Sequence, residues 1–205
     1  MNPNLTEIIF ILDRSGSMAG LEADTIGGYN QFLKTQSQKS GELRVTTVLF
    51  DHEYECLYQS ICPENAVLTE RQYFVRGCTA LYDAVGQAVI HTGRRLAETP
   101  EPERPSKVIV VITTDGCENA SKAYTHQQIQ NMIRQQQEKY SWEFLFFGAN
   151  IDVENVAQTI GVQADRAFSY EADSAGVCKM MACACDMVST LREALSCKND
   201  AESNS

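Results

Sequence analysis

Residues 8–20 read IIFILDRSGSMAG. Five apolar side chains in a row run directly into an aspartate, two serines and a glycine. A near-continuous apolar run of this length, beginning at Leu5, suits a central parallel strand buried on both faces. The small oxygen-bearing residues that follow then stand at the strand's carboxyl end. In open α/β sheets, that is where ligands bind, near the point at which strand order reverses.

The rest of the chain supplies the context that such a strand needs. LEADTIGGYNQFLKTQSQK places Ile26, Tyr29, Phe32 and Leu33 on one helical face, and its Gly27 and Gly28 are expected to let the helix sit close to the sheet. ELRVTTVLFD and EYECLYQSI are strands joined by a very short connection, so the second is expected to run antiparallel to its neighbour. After the loop CPENAVLTERQYFVRGCTA, the helix LYDAVGQAVIHTGRRLAE carries Leu81, Ala84, Val85, Ala88 and Val89 at helical spacing. The proline-rich ETPEPERPS is an exposed connection. KVIVVITTDG is a second strongly apolar strand, again ending in Thr, Asp and Gly. A polar helix with a stripe of Ile129, Met132 and Ile133 follows. Then come the strand WEFLFFGA, the helix VENVAQTIG, a short strand around AFSY and a long cysteine-bearing helix. Strands alternating with helices, with one early hairpin, define a single α/β domain over residues 1–197: a doubly wound, mostly parallel sheet with one antiparallel edge strand. Residues 198–205, KNDAESNS, are expected to form a disordered polar tail.

Composition narrows the function. A chain of 205 residues with 43% hydrophobic and 21% charged residues is ordinary for a globular protein with a substantial core. Its formal net charge of −10 repels nucleic-acid phosphate and offers nothing to an anionic membrane. No signal peptide and no transmembrane run is visible, so a cytoplasmic location without membrane insertion is expected. The eight cysteines (Cys56, Cys62, Cys78, Cys117, Cys178, Cys183, Cys185 and Cys197) include no C-x-x-C pair. On one helix Cys183 points about 140–160° away from Cys178 and Cys185, so those three cannot share a zinc ion. Reduced thiols are the expectation.

Asp13, Ser15 and Ser17 alternate along a tight loop, which can turn every second side chain toward one point. One carboxylate and two hydroxyls make a hard oxygen cluster suited to Mg²⁺ or Mn²⁺ and unsuited to zinc. Asp115, ending the other apolar strand, could add a second carboxylate, and Thr79 in RGCTALYDA another hydroxyl. Taken singly, the serines could cap a helix and Asp115 could form a turn before Gly116. Here the sequence resembles the von Willebrand factor A domain family and its metal-ion-dependent adhesion site. That pattern, D-x-S-x-S with a distant Thr and a distant Asp-Gly, is met by DRSGS, Thr79 and TTDG, and the order of elements agrees over roughly residues 5–170. Cys78 stands where glycine is common in the family, and Cys117 follows the Asp-Gly pair.

The resemblance implies the following roles. Ser15, Ser17 and Thr79 ligate Mg²⁺ (with Mn²⁺ or Ca²⁺ as alternatives) directly, Asp13 and Asp115 act largely through water, and a protein partner supplies an Asp or Glu to the vacant position. It also implies a stand-alone bacterial type of protein, tied to assembly of larger complexes or to stress responses. The expected function is therefore metal-dependent protein binding and not enzymatic. A metal-dependent phosphohydrolase is the alternative, and a structural subunit stiffened by its metal is a third reading. Phosphatases with an aspartyl nucleophile want a second Asp where Ser15 stands, and neither a G-x-S-x-G elbow nor a P-loop lysine is present. His52, His91 and His126 lack any triad context. Glu118 is the best outside candidate for a general base.

Overall fold

The apolar run before Asp13 lies in the middle of a six-stranded sheet. The structure is a computed structural model that describes residues 1–202, with side chains described to Glu193. In chain order the elements are β1 (Asn2–Asp13), α1 (Glu22–Ser37), β2 (Glu42–Phe50), β3 (Tyr54–Ile61), α2 (Leu81–Glu98), β4 (Pro105–Thr114), α3 (His126–Tyr140), β5 (Glu143–Gly148), α4 (Val153–Ile160), β6 (Ala167–Ser169) and α5 (Ser174–Glu202). The strand order is β3-β2-β1-β4-β5-β6. All neighbours are parallel except β2 and β3. The hairpin expected from the short connection is thus the antiparallel edge.

Alternation along β1 divides the core. Ile8, Phe10 and Leu12 join Tyr29, Phe32 and Leu33 of α1 and Val177, Met181 and Val188 of α5 on one face. Ile9 and Ile11 join Leu81, Val85 and Val89 of α2, Ile129 and Ile133 of α3 and Ile160 of α4 on the other. A strand covered on both faces needs apolar residues at every position, which is why β1 and β4 read as unbroken runs. Ile26 and Met132, placed on core faces from spacing alone, are only half-buried. Thr25 and Gln36 are buried on α1 instead.

The α1 glycines serve a different neighbour from the one expected. A Cβ on Gly28 would come within 2.7 Å of the Met181 side chain of α5, whereas one on Gly27 would meet nothing within 4 Å. The small residue admits the last helix, not the sheet. Two polar side chains lock the same pair. Gln36 donates to Ser189 Oγ at 2.8 Å and to the Cys185 carbonyl at 2.9 Å. Buried Arg192 donates to the carbonyls of Gln36, Ser40 and Gly41 and to Gln36 Oε1.

The seven cysteines with described side chains carry free thiols, Cys78 and Cys117 among the exposed ones. Cys197 lies outside the described side chains. Of the segment 198–205 expected as a tail, helical backbone continues to Glu202, and residues 203–205 lie outside the described residues. Among the described residues, no helix is long and apolar enough to cross a membrane.

What the fold does for function is set at the carboxyl edge. Asp13 is level with Phe50 of β2, and Leu12 with Thr113 of β4. The chain leaves β1 toward β2 on one side, and returns through α2 to β4 on the other. The strand order reverses between β1 and β4, so the loops after them part and leave a crevice there.

Candidate metal centre

Asp13, Ser15, Ser17, Thr79 and Asp115 meet in that crevice. Asp13 is wholly buried. Its Oδ1 accepts the Ser15 N–H at 2.7 Å and its Oδ2 accepts the Thr114 hydroxyl at 2.6 Å. Ser15 Oγ and Ser17 Oγ are 3.1 Å apart, and Ser17 Oγ donates to Asp115 Oδ1 at 2.5 Å, a short charge-assisted bond. Thr79 arrives on the loop before α2, pinned by Asn119. Its N–H donates to Asn119 Oδ1 at 2.9 Å, and its carbonyl accepts the Asn119 and Ala120 N–H groups. A Cβ placed on Gly116 would lie 3.2 Å from Ser17 Oγ and 3.2 Å from Thr79 Oγ1. Two hydroxyls therefore face one small space, kept open because residue 116 has no side chain.

The serines do not take the helix-capping role. Ser15 precedes the short turn Gly16–Met18 but makes no side-chain cap bond, and the N-cap of α1 is Leu21. Neither serine caps a helix.

Burial works against charge on both carboxylates. Burial pushes the Asp13 carboxyl up to about 6; hydrogen bonds from Thr114 and Ser15 oppose the rise and the nearby Asp115 adds to it. Burial raises Asp115 as well, against the pull of the Ser17 hydroxyl. Asp115 Oδ2 is buried without any hydrogen-bond partner among the described residues. A buried, unpartnered carboxylate oxygen is costly unless something positive or water-bearing completes it. With three hydroxyls, two carboxylates and an open space at Gly116, the donor set fits a hard divalent cation.

Several supports were not read from the sequence. Thr114 holds Asp13, Asn119 holds Thr79, and the Tyr73 hydroxyl donates to the Asp13 carbonyl at 2.6 Å. The hydroxyl beside the Asp in TTDG was a usable signal for Thr114; Tyr73 and Asn119 had none. Glu118 is fully occupied as a scaffold. It accepts the N–H groups of Tyr82, Ala120 and Ser121 and the Ser121 hydroxyl, at 2.7–3.0 Å. A second group of possible ligands, Asp51, His52 and Glu53, sits in the β2–β3 turn. Its buried carboxylate, Asp51, is already held by Arg14 and Arg76.

The doubly wound sheet with its antiparallel edge and strand-end oxygen cluster defines a von Willebrand factor A-like fold. Solved structures agree. The chain is similar to the PilB minor pilin of Streptococcus sanguinis (12% identity, TM-score 0.65, covering 95% of this chain and 62% of that one). It is similar to proximal thread matrix protein 1 from the mussel byssus, solved with a zinc-occupied MIDAS motif (14%, TM-score 0.61, 91% and 46%). It also resembles the manganese-loaded TRAP protein of Plasmodium vivax (14%, TM-score 0.60, 88% and 73%). The chain spans about half the length of the mussel protein. No protein-family model matches it.

Proposed function

We propose that this chain is a protein-binding module whose partner contact depends on Mg²⁺ or Mn²⁺ held by Ser15, Ser17 and Thr79, with Asp13 and Asp115 acting through water. The observation that carries the proposal is the unpartnered buried oxygen of Asp115 beside hydroxyls that converge on Gly116. A bound divalent cation would supply an open coordination position for an Asp or Glu oxygen of the partner. The chain's own residues prepare that position. Asp13 has both oxygens engaged, so it contributes charge without crowding the site. Ser17 is exposed and Thr79 buried, so the hydroxyl set opens toward solvent on one side. The engagement of Glu118 by four donors supports recognition over hydrolysis, because it leaves that carboxylate no freedom to take a proton from water. We place this domain, residues 1–197, in a cytoplasmic protein of bacterial type, serving assembly of a larger complex or a stress response.

The test is titration calorimetry with Mn²⁺ and Mg²⁺, followed by affinity capture with and without chelator. One metal site per chain, lost in Asp13→Ala, and partners retained only with metal are the expected results. Unaltered Mn²⁺ binding by a folded Asp13→Ala protein would show that the ligands lie elsewhere.

A further inference from the structure

Arg14, at the first open position of D-x-S-x-S in DRSGS, is one of the largest wholly buried side chains in the molecule. A buried guanidinium must be paired, and here the partner is Asp51, itself wholly buried at the end of β2. Asp51 Oδ2 accepts Arg14 Nε at 2.8 Å and Arg76 Nε at 2.8 Å, and its Oδ1 accepts the Glu53 N–H at 2.8 Å. Each arginine also has an outer partner. Arg14 Nη1 donates to Glu55 at 2.7 Å, and Arg76 Nη2 to Glu53 at 2.6 Å. Both guanidiniums lie over the Phe74 ring, at 5.5 and 5.7 Å from its centroid.

The backbone repeats the connection. The Asp51 carbonyl accepts the N–H of Ala80 at 2.8 Å, next to the ligand Thr79. The Arg76 N–H donates to the Arg14 carbonyl at 2.9 Å, and the Gly16 N–H to the Gly77 carbonyl at 3.1 Å. One buried carboxylate thus ties together the loop that carries Ser15 and Ser17, the turn after β2 and the segment that delivers Thr79. These hydroxyls come from loops more than sixty residues apart, and no other ion pair among those described joins the two loops.

We propose that Asp51 is a positioning residue of the metal centre: through Arg14, Arg76 and the Ala80 N–H it sets the spacing between the Ser15–Ser17 hydroxyls and Thr79. This rests on the metal-site reading above. Partners that orient metal ligands govern affinity although they never touch the ion.

The experiment measures Mn²⁺ affinity and melting temperature on the whole protein, well below the unfolding transition. Arg76→Met removes the link from the Thr79 side, and Arg76 is 39% exposed, so the fold should survive. Its Mn²⁺ Kd is expected to rise about 10- to 100-fold. Glu53→Gln removes only the outer partner and should leave the Kd unchanged. Arg95→Met breaks the ion pair with buried Glu7, about 20 Å down β1. It should lower the melting temperature and spare the Kd. If Arg76→Met unfolds, Arg76→Lys, which keeps the charge but not the fork, is read in the same comparison. Unchanged affinity in the folded Arg76 variant, or equal weakening by Arg95→Met, overturns the proposal, since the network would then be merely structural. A wild-type protein that binds no Mn²⁺ refutes the metal-site reading itself, and this inference with it.

Discussion

Changing Asp13 to Asn separates what the metal site costs from what it does. In metal-free protein the buried Asp13 carboxyl is pushed up to about 6 from 3.8. A carboxyl with a raised folded pKa holds its proton more tightly folded than unfolded. Its contribution therefore makes stability fall as pH rises, between about pH 4 and pH 6. At about pH 7.5 the full penalty is present, and a shift of about two units corresponds to about 3 kcal/mol. Asn keeps an acceptor for the Ser15 N–H, and its amide can donate to Thr114 Oγ1, whose hydroxyl can turn to receive it. Imperfect geometry should return about 1 kcal/mol of the gain. The net stabilisation of about 2 kcal/mol raises the melting temperature by about 5 °C for a chain of this size. Thermal melts of both proteins in EDTA, stepped through the acid range to slightly above neutrality, should favour the wild type slightly at the acid end, cross as Asp13 ionises and then diverge in favour of Asp13→Asn. Added Mn²⁺ should narrow the gap, because only the wild type responds. If Asp13→Asn melts lower than wild type at neutral pH in EDTA, with the same pH slope, the burial cost does not reside in Asp13 and the electrostatic argument for a cation fails.

Gly116→Ala should fold normally yet weaken Mn²⁺ binding about tenfold or more, because the new methyl enters the space between Ser17 Oγ and Thr79 Oγ1; calorimetry decides it. Thr79→Ala should lower metal affinity partly and partner capture steeply, while phosphatase and nuclease activity stays at background with Mn²⁺ in both proteins. Turnover that vanishes in Glu118→Gln would establish an enzyme. At Asp51 burial pushes the carboxyl up, but hydrogen bonds from Arg76, the Glu53 N–H and Arg14 outweigh it and hold it below its ordinary value. That stability is present above the unfolded carboxyl pKa and is lost as pH falls through the lower folded one, so Asp51→Asn should flatten the acid limb of the unfolding curve below about pH 4.

The sheet was legible because its signal is local. Short unbroken apolar runs at 8–12 and 108–112, rich in Ile and Val, suit strands covered on both faces, and helical spacing placed Leu81, Val85 and Val89 correctly against them. Spacing did less well where a helix face is shared. On α1 it could not tell a glycine facing the sheet from one facing another helix, and Gly28 meets Met181 of a helix about 150 residues later. The five proposed site residues rest on a similarly local signal, since three lie in one short loop and all five fall in a recognisable pattern of oxygen donors.

The sequence by itself determined the alternation of strands and helices, the hairpin, and the list of oxygen donors at the strand ends, because each depends on residues close together in the chain. Only the tertiary structure decided how those donors are held. Thr114 reaches Asp13, Asn119 reaches Thr79, and Asp51 joins Arg14 to Arg76, in every case across a wide sequence separation. A buried polar group takes whatever partner the packed chain brings near, so no periodicity announces it. The same holds for Glu118, which could pass for a free base in sequence and is a satisfied cap in the fold, and for Asp115, whose one unpartnered oxygen appears only when every neighbour has been placed.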